Sequence, residues 1–437
     1  MSVLLSQAIS QAGLAWKGLY FSSQTLEKAV AALSLGKNIE LKAAVQSLLY
    51  TTLRHRVKAE LVLRKLLNKK TTPEVQCLLA VSISLLLDGK EKDFVVVDQA
   101  VTAAKADPQT LRAAGLINAV LRNFLRQRSY WNNIFKTNLC ARYNAPAWWI
   151  QKVRATYPNQ WESILKLQTQ RPPLTLRVNT RKISKSTYQQ QLQQAGFTVK
   201  DIGERALIIE PPCPVHQIPG FAQGLCSVQD AGSQLVSRFL QLKDGDKVLD
   251  ACAAPGGKTA EMLEQHCLSV IAMEVDPARA LKIKDTLGRL GLSAEVRVGN
   301  AADAADVADV GSVDAILLDA PCTASGIVRR HPDIVWSRRP EDVSKLAAEQ
   351  AKLLHNLWQI LPIGKPLLYV VCSIFPEEGP EQIKKFLDLH SDARLKCLPE
   401  VGQKMLRLIP TENETDSTLP LIHDGFFYAL LTKVETP

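Results

Sequence analysis

The 437-residue chain has no CxxC pair and no cysteine–histidine cluster at zinc-binding spacing. Its nine cysteines are odd in number and scattered. Neither a disulfide framework nor a structural zinc site is expected, and no metal is expected. No apolar run reaches the ~20 residues that a membrane span needs. The opening MSVLLSQAISQAGLAWKGL is interrupted by polar residues too often for a signal-peptide core. A cytoplasmic protein without a membrane partner is expected. Acids are scarce at the start. Residues 1–70 hold 3 Asp/Glu against 11 Lys/Arg, so they supply +8 of the net charge of +10. Such a balance points to a polyanionic partner, nucleic acid first.

What is present fits a globular chain: 46% of residues are hydrophobic and 22% charged. The length suits two or three domains. Residues 1–140 read as an all-helical domain, with little glycine and almost no proline. Ala113, Leu116, Ile117, Val120, Leu121, Phe124 and Leu125 form one apolar stripe, with Arg112, Arg122 and Arg126 opposite. Val75 to Leu87 is nearly continuous apolar sequence and reads as a buried central helix.

Residues 141–235 read as a small α+β module. Arg171-Pro172-Pro173 leads into a strand at 174–179, a Gln-rich helix at 185–195 and a second strand at 197–199. Arg177 and Asn179 fall on one face of the first strand. A basic strand face of this kind is a candidate RNA contact. From 236 to 437 strands and helices alternate, which predicts a doubly wound α/β sheet of Rossmann-like type. Strands are expected at 247–250, 269–274, 295–298, 314–319 and 367–371, with a long helix over 341–361. The acidic-polar stretch 411–418 reads as a loop. Ligands of such sheets sit at the carboxyl ends of the strands.

The unusual residues cluster there. Asp250-Ala-Cys-Ala-Ala-Pro-Gly-Gly-Lys258-Thr259 joins a strand to a helix. Its small residues allow close backbone approach, and the helix start offers free N–H groups. Gly257-Lys258-Thr259 resembles the end of a P-loop. However, Cys252 stands where that loop needs its first glycine, and Pro255 removes a donor. S-adenosylmethionine is the other candidate. Its sulfonium needs no phosphate nest, but it does need a glycine loop and an acid for ribose hydroxyls. Glu274 lies 17 residues beyond Gly257 and ends the next strand. Asp319-Ala320-Pro321-Cys322 and Val371-Cys372-Ser373 each place a cysteine just past a strand end. A thiolate there can add to C6 of a pyrimidine and make C5 nucleophilic toward a methyl sulfonium.

Together these motifs resemble the RNA cytosine-C5 methyltransferase family, and more closely its bacterial RsmB-type branch. AGLINAVLR (114–122), VQDA (228–231), RRHPDIVW (329–336) and DGFFY (424–428) are similar to that branch, so the likeness spans the chain. The resemblance implies an N-terminal NusB-like RNA-binding domain and a Rossmann-like methyltransferase domain using S-adenosylmethionine. It implies action on naked or early-assembly small-subunit rRNA, at cytosine 967 in standard rRNA numbering; with no long exposed seam in the sequence, a monomer is expected. It gives Cys372 the role of nucleophile and Cys322 that of assisting C5-proton removal and release. Asp319 would touch the cofactor or the cytosine edge, and Lys258 the base or Asp319. Cys252, Ala253, Ala254, Pro255, Gly256, Gly257 and Lys258 would line the cofactor. Glu274 would hold its ribose, and Asn300 would lie near its adenine. Arg329, Arg330 and His331 are further candidate phosphate contacts. Three positions depart from the family: Glu274 and Asn300 stand where Asp is usual, and Val371 where Thr is. Three alternatives stay open: a non-catalytic RNA-binding assembly factor, a methyltransferase acting on tRNA, and an NTPase.

Overall fold

The computed structural model describes residues 4–22, 24–33, 38–308, 310, 312–410 and 419–435. The stretch 411–418, expected to be a loop, lies outside them. The chain forms two compact units. The first comprises residues 1–170 with the excursion 328–338, and the second comprises 171–327 and 339–437.

The first unit is helical throughout. Its centre is the helix Pro73–Asp88, in which nearly every side chain from Val75 to Leu86 is buried. Local chemistry sets its ends. The Thr72 side chain accepts from Val75 N, Pro73 occupies the first turn, and Gly89 closes the helix in the left-handed conformation. Helices Leu5–Phe21, Ile39–Arg54, Asp93–Ala106 and Ala114–Arg126 surround it. Ile117, Val120, Leu121 and Phe124 are buried as the stripe requires, and Arg112, Arg122 and Arg126 are exposed. Leu116 is an exception, being 42% exposed at the edge of the stripe. Helices Ala147–Thr156 and Trp161–Thr169 also belong to this unit, so its helical packing extends past residue 140. No described helix is long and apolar enough to cross a membrane.

The second unit holds two sheets. Strands β1 (Leu174–Val178), β2 (Thr198–Asp201), β3 (Ala206–Glu210) and β4 (Cys226–Val228) form an antiparallel sheet in the order β2-β3-β1-β4. The helix Lys185–Gln194 buries Tyr188 and Leu192 with this sheet's apolar residues. The larger sheet begins with β5 (Lys247–Asp250), β6 (Ser269–Glu274), β7 (Glu295–Val298), β8 (Ala315–Asp319) and β9 (Pro366–Val371). These run parallel in the order β7-β6-β5-β8-β9. Three further strands, β10 (Ala393–Lys396), β11 (Met405–Leu408) and β12 (Phe426–Lys433), extend it antiparallel beyond β9. The reversal of strand order at β5 and β8 opens a crevice at their carboxyl ends.

Two buried ion pairs join the small sheet to the large one. Arg177 on β1 makes two hydrogen bonds to the Glu264 carboxylate, both 2.8 Å, and neither side chain is exposed. Arg205 reaches Glu261 at 2.6 Å. Both acids lie on the helix Gly257–Gln265 that follows β5. Arg177 also donates to Gly257 O at 2.7 Å and to Gln229 Oε1. The expectation that Arg177 faces RNA is therefore corrected. The strand face it shares with Asn179 is covered, and Asn179 itself donates to Gly224 O. Arg177→Met leaves a carboxylate buried without its partner, which should cost about 3–5 kcal/mol of stability by urea denaturation. Arg177→Met combined with Glu264→Leu should recover most of that loss.

Candidate active site

The loop after β5 is small-residue sequence drawn tightly onto the neighbouring strand and helix. Ala253 N donates to Met273 O on β6 at 2.9 Å. Gly256 has φ +94°, and a Cβ there would lie 3.2 Å from the Ile283 Cα, so both conformation and space require glycine. On the helix Pro277–Leu290, Arg279 donates to Ala254 O at 3.2 Å and Thr286 to Pro255 O at 2.8 Å. Sequence reasoning did not single out Arg279 or Thr286. Their signal is only a position in the first and third turns of the helix that follows Glu274.

Three carboxylates end adjacent strands around this loop. Asp250 is fully buried, accepts from Thr259 Oγ1 at 2.6 Å on Oδ2, and has no partner for Oδ1. Burial pushes its pKa up to about 7 despite the Thr259 bond. Glu274 is buried, and its Oε1 accepts from Asp276 N and pairs with Arg279 at 3.3 Å. Asp319 pairs with Lys258 at 2.5 Å. Burial lowers the Lys258 pKa, but the charge and hydrogen bond of Asp319 outweigh it, and the net shift is upward. Lys258 is thus held as a cation. Burial, then the charges of Asp319, Asp250 and Glu274, push the Cys252 thiol well above its ordinary range. Asn300, exposed past β7, uses its side-chain oxygen to accept from Ala302 N at 3.0 Å. Among the described residues, no group of three or more His, Cys, Asp or Glu is arranged to hold a metal.

The two strand-end cysteines meet. Cys322 Sγ and Cys372 Sγ are 3.4 Å apart, on loops leaving the adjacent strands β8 and β9. Cys322 is buried and Cys372 half-buried. The hydrogen bond with Cys372 raises the Cys322 pKa most, and burial adds to it. Both effects hold the proton on Cys322.

Behind the thiols lies a carboxylate that sequence reasoning passed over. Glu378 is fully buried. Its Oε1 accepts from Thr323 N at 2.7 Å and Gln350 Nε2 at 3.2 Å, and its Oε2 from Thr323 Oγ1 and Ser373 Oγ at 2.5 Å each. Thr323 follows Cys322 and Ser373 follows Cys372, so one side chain ties both thiol loops together. Gly326 N donates to Cys372 O at 3.0 Å, and a Cβ on Gly326 would overlap the Gly425 carbonyl. PEE at 376–378 was visible only as acid-rich sequence after a strand.

The candidate phosphate contacts divide. Arg329 is 6% exposed and its carbonyl accepts from Arg54 Nη2 at 2.9 Å. It is packed into the helical unit, which corrects its expected surface role. Arg330 is half-buried and His331 exposed. Removing the Glu378 hub should unfasten the thiol loops. Glu378→Ala strands a buried N–H and two hydroxyls, for an expected loss of about 2–4 kcal/mol in chemical denaturation. Glu378→Gln, which can still accept from Thr323 N, should lose about half as much.

Comparison with known proteins places these features in a family. Residues 237–432 match the model described as 16S rRNA methyltransferase RsmB/F. Residues 145–216 match a RsmF/B-like ferredoxin-like domain, and residues 7–126 the NusB family. Ribosomal RNA small subunit methyltransferase B of Vibrio cholerae is 38% identical over 397 residues, covering 90% of this chain and 89% of that protein. The protein of the same name from Citrobacter koseri is 38% identical over 398 residues, covering 90% and 91%. A methyltransferase homolog from Pyrococcus horikoshii superposes with TM-score 0.57 at 26% identity, covering 68% of this chain and 97% of that one. A NusB-like helical domain, a ferredoxin-like module and a Rossmann-like methyltransferase domain therefore follow one another, and the chain belongs to the RsmB/F family of 16S rRNA methyltransferases.

Proposed function

We propose that this chain transfers a methyl group from S-adenosylmethionine to C5 of a cytosine in small-subunit ribosomal RNA, cytosine 967 in standard numbering. The observation that carries the chemistry is the pair of thiols 3.4 Å apart beside the Lys258–Asp319 pair. Residues 1–140 would serve RNA binding, residues 141–235 would support the site, and residues 236–437 would perform the reaction in a cytoplasmic monomer. Naked or early-assembly RNA is the substrate form. A cytosine must leave its stack to reach Cys372, and this costs less in a loop.

The site suits the co-substrate on its own features. The tight Gly256 turn admits a close ligand, Glu274 ends the next strand where ribose hydroxyls would lie, and Asp250 Oδ1 is buried without a partner. Cys252 to Lys258 would line the bound molecule, with Glu274 toward the ribose and Asn300 toward the adenine. S-adenosylmethionine supplies an electrophilic methyl group on a sulfonium. Cys372 Sγ adds to C6 of the cytosine, breaking the C5–C6 double bond. As the adduct forms, a proton passes to N3 from the Lys258–Asp319 pair and Asp319 holds it there, so electron density gathers at C5, which would take the methyl as the methyl–sulfur bond breaks and S-adenosylhomocysteine departs. Cys322, once its own proton has passed to solvent, takes the C5 proton; the C5–H electrons re-form the C5–C6 double bond, the C6–sulfur bond breaks with its electrons returning to Cys372, and the N3 proton goes back to the Lys258–Asp319 pair.

The Cys322 pKa shift gives this order a physical cause. Its largest contribution is the hydrogen bond with Cys372. That bond and burial both disfavour loss of the Cys322 proton, which leaves Cys372, the more accessible thiol, as the first nucleophile.

The test is methyl transfer from labelled S-adenosylmethionine to small-subunit rRNA, large-subunit rRNA and tRNA in parallel, with nucleoside analysis of the product. Label as 5-methylcytosine in small-subunit RNA alone is expected. Label in tRNA would overturn the substrate, and binding without transfer to any RNA would favour an assembly factor. Cys372→Ala should abolish both transfer and adduct. Cys322→Ala should accumulate protein–RNA adducts on denaturing gels. Accumulation with Cys372→Ala instead would reverse the two roles.

A further inference from the structure

The helical unit contains a cavity of about 410 Å³ that the methyl-transfer chemistry does not use. It lies among the helices Leu5–Phe21, Arg56–Leu66 and Pro73–Asp88. Its volume falls within the range of small-ligand sites, roughly 300–1,000 Å³. We propose that it receives one unstacked nucleotide of the single-stranded RNA substrate, with the base on Tyr20 and Phe21 and the phosphates on Arg64, Lys69 and Lys70. This rests on the RNA-substrate reading above.

Three observations carry it. First, the wall is aromatic where aromatics are unusual. Tyr20 is 37% and Phe21 48% exposed, their rings 5.0 Å apart edge to face, with Trp16 stacked behind Tyr20 at 6.1 Å. Exposed rings on a rigid helix are stacking platforms for bases of any identity. Second, the charge is one-sided. Arg64, Lys69 and Lys70 are exposed at the rim. Glu60, the one acid among the described lining residues, is already paired with Arg56 at 2.8 Å. The rim therefore complements a phosphate backbone. Third, the platform is braced. The Arg56 guanidinium lies between the Tyr20 ring at 4.9 Å and the Trp336 ring at 4.4 Å. Trp336 belongs to the 328–338 excursion that packs in this unit. Arg56 thus holds Tyr20 in place and is not itself the phosphate contact.

The experiment uses the full chain with a single-stranded oligoribonucleotide of small-subunit rRNA carrying 5-iodouridines. Ultraviolet crosslinking and peptide mapping should find label on Gly18–Lys28. Tyr20→Ala with Phe21→Ala should weaken binding about tenfold, raise KM by a similar factor and leave kcat unchanged, with the salt dependence of affinity kept. Lys69→Ala with Lys70→Ala should instead lower the salt slope by roughly one for each phosphate no longer neutralised. Both pairs are at the surface, so the variants should fold. Unchanged affinity in the aromatic variant, or crosslinks confined to other segments, would overturn the proposal and leave the cavity to another occupant such as an acidic peptide. The two readings fail separately. Crosslinking at Gly18–Lys28 without 5-methylcytosine would sink the methyl-transfer reading alone. Normal 5-methylcytosine formation with unaltered KM in the variants would sink this one alone.

Discussion

The arrangement of the two strand-end thiols depends on one buried carboxylate. Parallel strands β8 and β9 are held by their ladder only to their ends, and both cysteines lie beyond those ends. Nothing in sheet geometry fixes two such loops against each other. Glu378 does so, accepting four hydrogen bonds, three of them from residues adjacent to the cysteines. The acid is in turn fixed from behind: Tyr369 OH donates to Glu378 O at 2.7 Å and accompanies Gln350 in the same network. A fully satisfied buried network of this kind is stiff, because each member loses several bonds if it moves. The 3.4 Å separation of the thiols is therefore a property of the fold.

The cofactor side is held by a different device. The helix Gly257–Gln265 carries Glu261 and Glu264 into the interior, where Arg205 and Arg177 meet them. Such pairs contribute little net stability relative to an apolar replacement, since both charges are desolvated. Their geometric effect is larger. A guanidinium bound at two oxygens and also to Gly257 O fixes both the rotation and the start of the helix, and thus the loop that precedes it. The small antiparallel sheet serves the methyltransferase sheet through its arginines.

Much of this was legible in the sequence. Alternating strands and helices, with acids and cysteines at strand ends, located Asp250, Glu274, Asp319, Cys322 and Cys372 correctly at one edge of the sheet. That information is local, because a strand's end and the loop after it are written in consecutive residues. Arg177 shows where local information stops. Its alternation with apolar neighbours is the pattern of a half-exposed strand, and only the distant Glu264 turns its exposed face into a buried one. Leu116 errs in the opposite direction, since a helical stripe does not say which edge residues a neighbouring helix fails to cover. Arg329 looked like a surface cation because its neighbours are basic, whereas the 328–338 excursion is packed among helices more than two hundred residues earlier in the chain. Glu378 was illegible for the same reason, its partners being Thr323, Gln350 and Ser373.

The unequal environments of the two thiols also bear on why two are present. In the proposed C5 methylation a single thiolate could attack C6, but it could not then remove the C5 proton, because it would be consumed in the bond to C6. A second base near C5 is needed, and it must not compete as the first nucleophile. Depth provides that distinction: Cys322 is buried, and its bond to Cys372 and burial push its pKa up, while Cys372 is the more accessible of the two. In the proposed reaction the order of the two steps would then follow from the unequal depth of the two thiols, with no moving part required to enforce it.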